Sequence, residues 1–411
     1  MNKIELLSPA GDMSKLKTAF YYGADAVYVG GKQFSLRALA GNFTNEELIQ
    51  ATDYAHSLGK KIYVTVNIFA RDNDIDKAKE YFVFLQSIKV DGVIISDPGL
   101  IYLARSCAPN LSVNISTQAN TLNSLAVEFW KNHGVKRVIL ARELSLKEIQ
   151  SIHNANPDIE IETFIHGAMC IAYSGRCLLS DYRTGRSSNR GACVQACRWS
   201  YEIREKDSEC GYLEMQEDER GTYIMNSKDL NLIDYIAELA NAGVCSFKVE
   251  GRMKSEYYLA TVINAYRRAI DSYYAIGEKY KEDNLFINEL KKTAHREFTT
   301  AYLLGENNRT VNYNDSQSKG THKFIANVLD YNKEEGYATI EMRNRFAYGE
   351  ELEVLSPSDS FNKIIKVVKM LDEKDREVCD AKIVQQILKL YTSVPLHAGD
   401  ILRRKEFESD F

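Results

Sequence analysis

The chain has 411 residues, 45% of them hydrophobic and 27% charged, with a net charge of −5 and a pI near 5.9. A chain of this length and composition builds a sizeable core in two domains, and its acidic balance argues against a protein that coats nucleic acid indiscriminately, while leaving room for a local basic patch that binds a structured RNA. No run approaches about 18 apolar residues and the opening "MNKIELLSPAGD" lacks a secretory apolar stretch, so the chain is expected to be cytoplasmic, with no membrane span.

Short apolar runs then recur, each followed by a helical pattern: "IELLS" from residue 4, "AVYVGG" from 26, "KIYVTVN" from 61, "GVIIS" from 92, "SVNIST" from 112, "RVILAR" from 137, "IEIETFIHG" from 159 and "CSFKVEG" from 245. Runs this continuously apolar fit parallel strands covered on both faces, and eight of them alternating with helices predict a closed, TIM-like β/α barrel. Thr44 with Glu47 and Ser145 with Glu148 form capping boxes where helices should begin.

A barrel keeps its chemistry at the carboxyl ends of its strands. Those ends are polar here: Asn67, Asp97, Gln118, Asn120, Arg142, Glu143, His166, Glu250 and Arg252. Each is also an acceptable helix cap or strand-end hydrogen bonder. Between the seventh and eighth strands the spacing breaks, and residues 168–221 form an insertion expected to hang over the mouth. An extra strand and a helix, in "TYIMNSKDLNLIDYIAELANAG", lead on to strand eight. The barrel domain is expected over 1–305, a polar linker over 306–320, and a small antiparallel β-barrel from 321 to 411. In that last module "KFIANVLDY", "YATIEMRNRF", "EELEVLS" and "NKIIKVVKML" alternate at period two; it serves either RNA or protein contact, or simple packing.

The insertion holds Cys170, Cys177, Cys193 and Cys197, half of the eight cysteines, at the spacing C-x6-C-x15-C-x3-C. In a reducing compartment such clustering points to a metal or redox site rather than disulfides. Structural zinc uses two short knuckles, and the first gap is wider than that; a 4Fe-4S cluster tolerates uneven spacing and is the favoured occupant. The radical-type CxxxCxxC loop fails at Ser200. Arg176, Arg183, Arg186, Arg190 and Arg198 crowd the same stretch with Tyr173, Tyr182 and Trp199, a set suited to phosphates, carboxylates and unstacked bases. No HExxH, GxSxG or ordered nucleophile triad is present.

The stretch "ETFIHGAMC" (162–170), continuing through Gly175, Cys177 and Ser180, resembles the signature of peptidase family U32, the collagenase-like proteins. The similarity extends through "LLSPAGD", "VYVGGKQFSLRA", "YVTVNIFARDND", "STQANT", "SNRGACVQACR", "NSKDL" and "KVEGRMKSEYY". Asn114 departs from the pattern, which leads one to expect histidine there. The resemblance implies an oxygen-independent hydroxylase with a 4Fe-4S cluster on Cys170, Cys177, Cys193 and Cys197. Within the family the chain is most similar to members that form 5-hydroxyuridine at the tRNA wobble position, with prephenate as hydroxylation co-substrate. On that reading Gln118, Asn120 and Glu250 orient the base, Arg142, Arg183, Arg190 and Arg252 bind phosphate or a carboxylate donor, and the partner is the tRNA anticodon arm. The alternatives are a collagenase-like peptidase, or an accessory subunit of a hydroxylase assembly beside a paralogous family member.

Overall fold

The computed structural model describes residues 3–35, 41–170, 172–173, 176–186, 193–196, 217–218, 221–222, 227–277, 284–305 and 318–406. Eight parallel strands close into a barrel: β1 (Glu5–Pro9), β2 (Ala26–Gly30), β3 (Lys61–Val66), β4 (Gly92–Ile95), β5 (Val113–Ile115), β6 (Arg137–Ile139), β7 (Glu160–Ala168) and β8 (Val244–Val249). Each pairs with the next, β8 pairs with β1, and a β7–β8 pairing shuts the ring. All eight arise from the apolar runs. Strands such as β1 and β2 are buried along their whole length, because helices cover one face and the packed barrel interior the other.

The helical ring comprises α1 (Met13–Tyr21), α2 (Asn45–Ser57), α3 (Ile75–Ser87), α4 (Pro98–Cys107), α5 (Ser124–Asn132), α6 (Leu146–Ala155), α8 (Ile236–Asn241) and α9 (Glu256–Ile276). Short polar side chains start most of them. Asp12, Thr44, Asp97, Asn123, Ser145 and Ser255 each accept a hydrogen bond from the backbone N–H three residues on, satisfying a donor that the helix itself leaves open. Both predicted capping boxes form. These caps lie just after the mouth loops, so they fix where each loop ends.

The insertion contributes α7 (Leu179–Thr184) among its described residues. The extra strand forms at Asp229–Asn231 and runs antiparallel to the end of β7, pairing Leu230 with Gly167. Gly167 has φ 107°, and a Cβ there would meet the Glu250 carbonyl oxygen at 2.3 Å. Only glycine lets the ends of β7 and β8 approach this closely.

Most of the predicted linker lies outside the described residues; Lys319 bridges back to His295. The C-terminal module is a seven-stranded antiparallel sheet with a two-stranded sheet, Phe346–Ala347 with Asp380–Ala381, beside it. The two outer strands of the large sheet, Ile364–Lys366 and Met370–Leu371, are successive parts of one segment. The first pairs with Glu351–Leu355 and the second with Ile387–Tyr391, so a single bent strand closes the sheet on itself. "NKIIKVVKML" reads as one strand because its apolar alternation continues through that bend.

The module packs on α1, α9 and the short helix α10 (Asn284–Leu290). Tyr22 Oη donates to the Leu355 carbonyl at 2.9 Å, and Tyr21 Oη to Asp400 at 2.8 Å. Fully buried Arg403 spans Glu289 of α10 (Nη2 to Oε2, 2.9 Å) and Glu353 (Nε to Oε1, 2.8 Å). Leu355 and Ile401 join the barrel's own apolar core. Among the described residues no helix is long and apolar enough to cross a membrane.

Candidate functional site at the barrel mouth

After β5 a 3-10 turn, Thr117–Ala119, carries Gln118, and Asn120 follows with φ 53° and ψ 51°. Asparagine tolerates this left-handed conformation better than most residues with a side chain. Asn67, just past β3, donates its amide to Gln118 Oε1 at 2.7 Å, and the Asn120 amide donates to the Gln118 carbonyl at 3.0 Å. Among the described residues nothing donates to the buried Asn120 Oδ1; an acceptor left that way costs about 1–3 kcal/mol until a donor arrives.

Glu250 follows β8, and Tyr28 Oη reaches both the Val249 carbonyl (3.0 Å) and Glu250 Oε2 (3.5 Å). Arg142, past β6, donates to the Ala168 carbonyl at 3.0 Å and lies 5.2 Å from the centre of the Phe164 ring. Burial pushes the neighbouring Glu143 carboxyl above its usual range, against the pull of Arg142. Arg252 is buried, with its guanidinium donating to Thr65 Oγ1 (3.1 Å), Ser35 Oγ (2.7 Å) and Asn42 Oδ1 (2.8 Å).

Thus Asn67, Gln118 and Asn120 come together above β3 to β5, while Arg252 reaches β3 from the β8 side. Arg142 turns instead to the end of β7. Asp97 is the N-cap of α4, accepting from the Leu100 N–H. His166 lies outside the barrel wall among Tyr258, Tyr266 and Phe298, where burial pushes its imidazole down to about 3 despite nearby Asp229.

Below the mouth the barrel interior holds an ion network that the strand-end reading missed. Arg137 Nη1 contacts Glu5 and Glu162, its Nε contacts Glu160 at 2.7 Å, and Lys248 Nζ lies 2.9 Å from Glu162. Ser246 and Tyr63 complete the hydrogen bonding of the carboxylates. Burial alone would raise the Glu5 carboxyl; the Arg137 guanidinium outweighs it and holds the group below the usual carboxylate range. The Lys248 ammonium also faces the Tyr28 ring at 4.5 Å and the Phe164 ring at 5.4 Å. The signal was present: Glu5, Arg137, Glu160, Glu162 and Lys248 are charges inside otherwise apolar strand runs.

Three of the four clustered cysteines are described. Cys170 is exposed just beyond β7, and Cys177 and Cys193 are half-buried; all three carry thiols rather than disulfides. Val194 N–H donates to Ser180 Oγ at 3.1 Å, tying the third cysteine's segment to α7, and Gln195 reaches Met253 Sδ beyond β8 at 3.8 Å. Residues 193–196 therefore lie between α7 and the segment that follows β8. The insertion's donors are of the right chemistry for iron, yet among the described residues no three Cys, His, Asp or Glu side chains are gathered to hold a metal. Cys197 and Arg190 lie outside the described residues. Arg176, Arg183 and Arg186 are exposed, and Tyr182 is 86% exposed beside them on α7.

The sequence profile of peptidase family U32 matches residues 11–313, and that of the peptidase family U32 C-terminal domain matches residues 320–403. The chain is 41% identical over 408 residues to "tRNA hydroxylation protein P1" of Bacillus subtilis (strain 168), covering 98% of this chain and 95% of that protein. It is 38% identical over 402 residues to "tRNA hydroxylation protein P" of Escherichia coli (strain K12), covering 88% of each. "Collagenase" of Porphyromonas gingivalis (strain ATCC BAA-308 / W83) is 31% identical over 375 residues, covering 87% of this chain and 88% of that protein. The profiles cover the barrel from α1 onward and the C-terminal module alike, and the chain belongs to peptidase family U32.

Proposed function

We propose that the chain is an iron-sulfur-dependent, oxygen-independent tRNA hydroxylase that forms 5-hydroxyuridine at the wobble position. The observation that carries this is the similarity, along nearly the whole chain, to relatives named tRNA hydroxylation proteins. The exposed arginines and Tyr182 on the insertion support it physically, since guanidinium groups bind phosphates and aromatic faces take unstacked bases. A wobble uridine leaves its stack to enter the mouth, where Gln118, Asn120 and Glu250 orient it. Arg142, Arg183 and Arg190 contact the anticodon-arm phosphates or the carboxylates of prephenate as co-substrate.

Cys170, Cys177, Cys193 and Cys197 would hold a 4Fe-4S cluster, which when bound supplies one-electron transfer. Oxygen-protected protein should show the broad visible absorption of such a cluster, lost in Cys170→Ala. The deciding experiment is deletion of the gene followed by nucleoside analysis of total tRNA. 5-hydroxyuridine derivatives should disappear and return with the wild-type gene but not with Cys170→Ala. Unchanged nucleosides would leave an accessory role beside a paralogue.

The Collagenase relative favours a second reading, peptidase activity on collagen-like chains. Gelatin hydrolysis that survives Cys170→Ala would support it.

A further inference from the structure

Arg252 stands where a barrel presents substrate-binding groups, yet its guanidinium is turned inward. It is 4% exposed and, among the described residues, donates to side chains of Thr65 in β3 and of Ser35 and Asn42 at either end of the loop that follows β2. That loop is zipped at its base, where Lys32 N–H donates to the Phe43 carbonyl at 3.0 Å and Phe43 N–H to the Gly30 carbonyl at 2.9 Å. Gly30 makes the room: a Cβ there would lie 2.5 Å from Ser35 Oγ and 2.7 Å from both terminal nitrogens of Arg252.

The loop in turn holds the mouth. The Phe34 carbonyl accepts from the Asn67 N–H at 3.2 Å, and the Asn67 side chain donates to Gln118. Phe34 itself has φ 59° and packs its ring 5.7 Å from Tyr81 of α3, so its carbonyl direction is set by the loop's conformation. An unbroken chain of contacts therefore runs from Arg252 through Ser35 and Phe34 to Asn67 and Gln118.

We infer that Arg252 is a positioning residue, which ties together the two flanks of the loop after β2, at Ser35 and Asn42, and so fixes the Asn67–Gln118 amide pair, rather than a contact to phosphate. Planar donors spread over three acceptors suit this task, and a lysine ammonium cannot span them. The effect on chemistry rests on the hydroxylase reading; the tie does not.

The test compares wild type with Arg252→Gln, which removes the cation, and with Ser35→Ala and Asn42→Ala, which each remove one bond and protect against a failure to fold in the arginine variant. Three quantities are read: tryptic cleavage after Lys32 in the native protein, the salt dependence of tRNA affinity, and 5-hydroxyuridine yield. A positioning residue predicts faster cleavage, a hydroxylation loss of roughly tenfold or more from misplaced groups, and an unchanged salt slope. Loss of a phosphate contact would instead lower that slope by about one, which overturns the inference. Unchanged cleavage, or faster cleavage with full hydroxylation, overturns it too. Should wild type neither bind nor hydroxylate tRNA, the hydroxylase reading fails, and cleavage after Lys32 alone decides whether the tie exists.

Discussion

His166 shows how burial converts one side chain into a pH response. Its folded pKa lies near 3, below the unfolded value of about 6.5, so the unfolded chain takes up the proton first as pH falls. Its contribution is complete above about pH 6.5 and is lost progressively below, with a slope of up to about 1.4 kcal/mol per pH unit. Asp229, His295 and Lys254 face it, and of these Asp229 opposes the shift. Urea unfolding across that window should show the slope in wild type and a flatter curve in His166→Phe. Glu5 acts lower on the scale: its depressed pKa adds stability above about pH 4.3 that disappears as pH falls through the folded value. Arg137→Met leaves Glu5 and Glu162 buried without their shared guanidinium. A loss of about 3–5 kcal/mol should appear as a lower urea midpoint.

At the scale of elements, the helices were legible from their first residues. Thr44 and Ser145 sit three positions before glutamates, and both boxes form because these side chains satisfy donors that the first helical turn leaves open. Thr44→Ala and Ser145→Ala should each cost about 1 kcal/mol in chemical denaturation. Their effects should add in the double variant, since they start separate helices. The strands were equally legible, because both faces are dry and a continuous apolar run is the consequence. Strand-end side chains were not. Asp97 and Arg252 read alike as polar residues at the mouth, but one caps a helix and the other bridges a loop to a neighbouring strand. That difference depends on what lies opposite, which no local pattern encodes.

For the whole molecule, Arg403 is the clearest link between barrel and C-terminal module. It is fully buried, with Glu289 on one side and Glu353 on the other, and Lys292 bridges the same two carboxylates. Interfaces between domains of one chain are ordinarily polar and permissive of movement; here a desolvated ion cluster and apolar Leu355 and Ile401 join the two cores. The parts should therefore unfold as one unit. Calorimetry of wild type should give a single transition, whereas Arg403→Met, which leaves buried Glu289 and half-buried Glu353 with Lys292 alone between them, should split it and lower its onset.

The order of elements, the closed barrel, the second module and the family were determined by sequence alone, because periodicity, capping and signature spacing are local properties that survive without coordinates. Tertiary structure decided which charges face the barrel interior, that Arg252 turns inward while Arg183 stays exposed, and that one bent strand closes the C-terminal sheet. These outcomes depend on contacts between residues as far apart as Glu5 and Arg137, or Ser35 and Arg252, whose meeting is set by the curvature of the packed barrel rather than by any neighbouring residue.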